Sequence, residues 1–233
     1  MAVADSRPDL GSTRMATHAS AFTPDRSRTL RRCAWALAWL ALAVLSIDFL
    51  VGVHAKYHAV TAEAYAMFWS RRAWLWTHLA GGALTIVLGP LQFLSRWPRP
   101  FARLHRASGW MYVSGILIGS IGATGLIATS PAPFAIRSAF AATALAWLGT
   151  GLVALMAIRR AQVVVHRRWM TRNYLVTLSP VTFRLLLHGA IAAGIAPSPD
   201  MIAALLWASW ALPLVAYEMA GRTAGRARMA PTA

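Results

Sequence analysis

Apolar residues fall in six long blocks along this chain, near 33–52, 74–95, 109–130, 137–158, 172–195 and 201–220, with short basic segments between them. A helix needs about 20 apolar residues to cross the hydrocarbon of a bilayer, so each block is long enough for one span. Blocks one, four and six are Ala, Leu, Ile, Val and Trp with small residues scattered among them. The other three carry a stripe. His78, Gly82, Thr85, Gly89 and Gln92 recur at steps of three and four in the second, and His105, Gly109, Tyr112, Gly119 and Gly122 do so in the third. In the fifth the stripe is His166, Met170, Asn173, Thr177, Arg184 and His188, with Pro180 predicting a kink. Such spacing puts each set on one helix face. Gly115 and Gly119 form a GxxxG, a spacing that lets membrane helices approach closely. The pattern predicts an all-α polytopic membrane bundle of six transmembrane helices, with a core of spans two to five.

Composition agrees: 58% of residues are hydrophobic and 13% charged, and the mean hydropathy is +0.51. One cysteine, Cys33, excludes a disulfide scaffold. The net charge of +16 would point to nucleic acid in a soluble protein. Here the basic residues punctuate apolar blocks, so the expected partners are the lipid bilayer and its anionic lipids, and not nucleic acid. Residues 1–32 are expected to form a flexible basic tail, 33–220 the six-helix domain and 221–233 a second basic tail. No apolar core or small-residue cleavage site precedes the first block, which is therefore read as an uncleaved span. With six spans, 18 Lys and Arg residues fall on the side of the two tails, and only Lys56, Arg71, Arg72 and Arg137 on the other. The positive-inside rule then makes both termini cytoplasmic.

Chemistry has little material to draw on. Seven acids exist, Asp5, Asp9, Asp25, Asp48, Glu63, Asp200 and Glu218, and most lie in tails, loops or span ends. Paired-carboxylate hydrolysis and carboxylate metal clusters are excluded on that inventory, and no HExxH, P-loop or GxSxG motif is present. His54 and His58 have helical i, i+4 spacing, but two ligands alone make a weak metal site. Arg184 lies 12 residues past Arg172, about 18 Å along a helix at 1.5 Å per residue, with His188 one turn further on. A charge at that depth needs a partner, which Asp48, backbone carbonyls, water or a bound anion could supply, unless the side chain snorkels outward.

Three segments, "HLAGGALTIVLGPLQF" (78–93), "RLHRASGWMY" (103–112) and "VHRRWMTRNY" (165–174), closely resemble a family of bacterial multipass membrane proteins with a domain of unknown function. Its signature reads GPLQF, HRxxGxxY and HRxWMxRxY followed by Arg, and it covers roughly residues 74 to 190. The site residues carried by the resemblance are His78, Gln92, His105, Arg106, Tyr112, His166, Arg168 and Arg184. More distantly, the chain is similar to transmembrane b-type cytochromes, which hold haem between histidines on facing helices of a four-helix core. That likeness implies haem b, with His105 and His166 as diagonal iron ligands at the cytoplasmic side. His78 and His188 would be the histidines of the other side, where span four has none.

Three functions compete at this stage. The first is electron transfer through haem b, which would make any enzyme here an oxidoreductase, with a partner protein or quinone left open. The second is an anion or anionic-lipid binding or transport module, because two helix N-termini, each with a His-Arg pair, converge on a rim of Arg103, Arg106, Arg167 and Arg168. The third is a non-catalytic scaffold with these residues as ordinary anchors. Topology is testable at once. Reporter fusions after Gly52, Trp97, Ser130, Arg160, Ser198 and Arg222 are expected to alternate, starting outside. An outside signal at Arg160 overturns the orientation.

Overall fold

The computed structural model describes residues 26–93 and 101–229, with side chains described from Thr29 to Thr223. The tails before residue 26 and after 229 lie outside the described residues, as do Arg96 and Arg99 of the basic count and Trp97 of the fusion series. In chain order the helices are α1 (Arg26–Tyr57), α2 (Ala62–Tyr65), α3 (Arg72–Gln92), α4 (Ala102–Ala128), α5 (Phe134–Arg159), α6 (Val163–Thr177), α7 (Ser179–Ala192) and α8 (Pro199–Met229). A 3-10 segment, Ala66–Arg71, links α2 to α3, and no strand occurs among the described residues.

Among the described residues, five helical segments are long and apolar enough to cross a membrane: Thr29–Tyr57, Ala62–Gln92, Ala102–Ala128, Phe134–Arg159 and Pro199–Thr223. The pair α6 and α7, bent by 46°, makes the sixth when taken as one span. The bend falls at Leu178, where Pro180 enters the first turn of α7. Proline there has no N–H for the carbonyl of Val176, and its ring crowds that carbonyl, so the helix turns aside.

Two compact units divide inside α1, Met1–Ala43 and Val44–Ala233. In the described part of the first, Trp35 and Trp39 meet edge to face at 6.1 Å, and Leu30, Trp35, Leu37 and Leu40 are exposed. An apolar helix that leaves such side chains uncovered is suited to lipid and not to water.

In the second unit, α3, α4, α5 and α6 each pack on the next, and α6 touches α3 again, which closes a four-helix ring with α4 and α6 on a diagonal. Glycine sets the closest approach. A Cβ on Gly81 of α3 would collide with the backbone of Gly115 and Gly119, and one on Gly122 would collide with the backbone of His78 and Trp74. Only residues without side chains fit there, the usual device for bringing membrane helices together without a hydrophobic driving force. Gly82 of the same stripe has nothing within 4 Å of its Cβ position, and it is the neighbouring Gly81 that makes the approach. α8 packs on α5, α6 and α7 outside the ring. At the end where α1 finishes, Tyr57, Tyr65 and Leu75 form a buried cluster with Val53, Phe68, Leu79 and Leu126, and the Tyr65 hydroxyl donates to the Tyr57 carbonyl at 3.1 Å.

The glycine geometry predicts a contrast. Gly119→Leu forces a side chain into the ring of Trp147 and the backbone of α3, and is expected to cost about 1–3 kcal/mol in thermal or denaturant unfolding in detergent. Gly149→Ala, in open space, is expected to stay within about 0.5 kcal/mol of the parent. Equal losses in the two variants would refute close packing at Gly119.

Candidate functional site

The centre of the bundle is a knot of polar side chains. Tyr112 of α4 is wholly buried, and its hydroxyl donates to Asn173 Oδ1 of α6 at 2.7 Å and lies 2.9 Å from Thr177 Oγ1. The Trp147 indole N–H of α5 donates to the same Thr177 hydroxyl at 2.8 Å. Asn173 Nδ2 donates to the Trp147 carbonyl at 2.8 Å and to Thr150 Oγ1 at 2.9 Å, so its amide is fully used. One cluster thus joins three helices and crosses the diagonal of the ring. The fourth helix is added by packing. The Tyr174 ring lies against Gly89 of α3, where any Cβ would overlap it, and against the Phe93 ring at 5.3 Å.

His105 and His166 each stand seven residues before a member of that knot, Tyr112 and Asn173, hence on the same helix faces two turns away. Both are the fourth residue of their helix, so they lie within the first turns of α4 and α6 and do not open them as expected. Because Tyr112 and Asn173 are bonded to each other, the two histidines stand at the same end of the bundle, two turns away from that bond. His166 Nδ1 sits 2.9 Å from the carbonyl of Ala154. A carbonyl only accepts, so Nδ1 carries the proton and Nε2 keeps a free lone pair. His105 Nδ1 is buried with no hydrogen-bond partner. Gln92 of α3 reaches the same place, donating from Nε2 to Ser108 Oγ at 2.8 Å, and Ser108 in turn donates to the His105 carbonyl at 3.1 Å. Arg103, Arg106, Arg167 and Arg168 are exposed around the pair.

The remaining expected residues go elsewhere. His78 Nδ1 is held by the carbonyl of Gly119 at 2.9 Å, and its ring lines a cavity of about 520 Å³ at the opposite end of the bundle from the exposed arginines. His188 is exposed and does not line that cavity, so His78 and His188 are not brought together. Arg184 was expected beside His188 and Asn173; instead its guanidinium covers Gly52 and lies 5.6 Å from the Phe49 ring of α1. The cause is the bend at Leu178, which takes α7 off the face of α6 and breaks the stripe between Thr177 and Arg184. No ion pair joins Arg184 to Asp48 among the described residues; α1 supplies the aromatic face of Phe49 instead.

A family description, "Predicted membrane protein (DUF2306)", matches residues 75–220. The chain belongs to that family. No curated protein and no solved structure matches it. The matched stretch runs from the first turn of α3 into the last turns of the apolar part of α8, so the knot, the histidine pair and the cavity all draw on it.

Two features escaped the sequence pattern. Trp147 and Thr150 sit on α5, which showed no polar stripe; the available signal was an indole N–H in a helix that must be buried on one side, since such a donor requires an acceptor. Arg172 and Glu218 form an ion pair at 2.7 Å between α6 and α8, with the guanidinium 4.7 Å from the Trp169 ring and 5.8 Å from that of Tyr217. They are 46 residues apart, and nothing local couples them.

Tyr112→Phe should leave the buried Asn173 Oδ1 without its donor, while Thr177 keeps the Trp147 indole and the Asn173 carbonyl. We expect a loss of about 1–2 kcal/mol in unfolding measured in detergent. Thr171→Ala, which removes one exposed bond to the Arg167 carbonyl, serves as the control and is expected to be near neutral. If both variants behave alike, the knot adds no stability.

Proposed function

We propose that this membrane protein is a haem b electron carrier in which His105 and His166 are the two iron ligands, at a cytoplasmic end of the bundle. The observation that carries the reading is the pair itself: a half-buried imidazole with an unpartnered Nδ1 at the same end of the bundle as one whose Nε2 lone pair is free, on helices that are diagonal in a four-helix ring. The donor set fits the group, because neutral imidazoles are good axial ligands for haem iron. When bound, haem b supplies a one-electron couple.

The chain's own residues have definite parts. The Ala154 carbonyl fixes the tautomer and ring orientation of His166, the kind of outer support that metal-ligating histidines have. Gln92, acting through Ser108, holds the backbone at His105. Exposed Arg106 and Arg168 are placed to pair with carboxylates at the rim. The Tyr112–Asn173 bond fixes the spacing of the two helices just above.

A second reading rests on the exposure of Arg103, Arg106, Arg167 and Arg168. It makes the same end a site for phosphate or anionic lipid headgroups, with the histidines as donors that respond to pH. An absorbance spectrum of the purified protein with and without dithionite separates the two. The haem reading expects a reduced b-type spectrum in the parent, lost together with haem content in His105→Ala and in His166→Ala. A parent that contains no haem ends that reading. Salt-sensitive binding to phosphatidylglycerol vesicles, weakened by removal of the arginines, would then support the second.

A further inference from the structure

The cavity of about 520 Å³ lies away from the histidine pair and shares none of the residues assigned to it. Its size is that of a small-molecule site. Leu79, Ile86, Phe140, Trp147, Phe183 and Leu206 give it apolar walls, drawn from α3, α5, α7 and α8. Two arginines, Arg71 and Arg137, also line it, and no acidic side chain does.

Both arginines belong to the same end. Arg71 closes the 3-10 segment before α3, is 7% exposed, and donates to the carbonyls of Met67 at 3.3 Å and of Leu126, in the last turn of α4, at 3.4 Å. Arg137 stands in the first turn of α5, just past the Ser130–Ala132 loop that also borders the cavity. Its Nε is buried with no acceptor, and neither arginine forms an ion pair among the described residues. Carbonyls orient a guanidinium but do not neutralise it. His78, the third titratable group facing this space, donates its Nδ1–H to the Gly119 carbonyl, so it offers no negative charge either. A cationic end with an orphaned donor, on a largely apolar chamber in a membrane protein, calls for an anion attached to an apolar body.

We propose that this cavity binds a long-chain fatty acid, its carboxylate held by Arg71 and Arg137 at the end of the bundle and its chain lying along the apolar walls. The planar guanidinium matches a carboxylate in a two-point fashion, and the bilayer supplies the chain. Gly82 strengthens the case from the other end. It lines the cavity, and its Cβ position meets nothing within 4 Å, so the space before it is vacant and can be filled without a clash.

The test uses the full chain, purified in detergent and stripped of lipid, with radiolabelled palmitate as the probe and hexadecanol and lysophosphatidylglycerol as competitors. Palmitate is expected to bind saturably at one per chain, with hexadecanol at least about tenfold weaker, as befits loss of the charged partner. Arg137→Gln is expected to weaken palmitate by a similar factor. Gly82→Leu is expected to abolish binding while thermal stability and helix content stay at parental values, which keeps the proposal testable if the arginine variant fails to fold. Hexadecanol binding as tightly as palmitate, lysophosphatidylglycerol displacing palmitate at lower concentration, or full palmitate binding in Gly82→Leu would each overturn it. None of these readouts depends on haem, so the result stands apart from the fate of the histidine reading.

Discussion

Inside a bilayer a buried hydroxyl or amide has no water to turn to, and the Tyr112–Asn173–Thr177–Trp147 cluster meets that constraint with protein groups alone. Each bond in it also fixes a helix. Asn173 binds both the backbone and the Thr150 hydroxyl of α5 while accepting from α4, so α4, α5 and α6 cannot slide past one another without orphaning a polar atom. In membranes single hydrogen bonds of this kind average about 0.6 kcal/mol, so the cluster is better regarded as fixing register than as supplying most of the stability. Register is what the site needs. Two turns below, or about 10 Å at 1.5 Å per residue, the facing of His105 and His166 is inherited from the facing of Tyr112 and Asn173.

α3 is placed by a different force. Gly81, Gly119 and Gly122 let its backbone touch that of α4, and Gly89 receives the Tyr174 ring, so close van der Waals contact runs along this side, with the His78–Gly119 and Gln92–Ser108 hydrogen bonds beside it. The neighbouring residue of α3, Gly82, faces the other way into open space. A helix that packs through one glycine and leaves the next uncovered has a tight face and a hollow face side by side. Trp147 spans the two, with its ring against Gly119, its indole N–H on Thr177 and its surface lining the cavity. The knot and the chamber therefore share a wall, and a bulky change at Trp147 acts on both.

Much of this was legible in the sequence because bilayer thickness and helix periodicity act locally. The six apolar blocks became helices, the polar stripes of blocks two and three turned inward at Thr85, Gln92 and Tyr112, and the kink came at Pro180. Helix ends were harder. α4 begins at Ala102 and α6 at Val163, well before the apolar cores, because a helix continues through polar residues at the interface as long as nothing caps or breaks it. What periodicity could not show were partnerships between helices. Glu218 looked like a residue of a span end until Arg172 arrived from α6, and Arg71 and Arg137 counted only as two of the four basic residues on their side. Such pairings depend on rotation about helix axes, which a stripe leaves free by tens of degrees.

The bend at Leu178 decides how the two ends of the bundle differ. Were α6 to continue straight, its polar face would carry Arg184 and His188 along the same line as Asn173, and a second histidine would stand at the far end opposite His78. Turning by 46°, α7 instead lays Arg184 on α1, leaves His188 outside, and brings Pro180 and Phe183 to the cavity wall. One end keeps His105 and His166 within the first turns of their helices, with exposed guanidinium groups around them. At the other end Arg71 is buried and Arg137 half-buried beside an apolar chamber, and His78 donates its Nδ1–H to the Gly119 carbonyl. A single proline, by redirecting 14 residues of helix, thus makes the two ends of one ring of helices unlike.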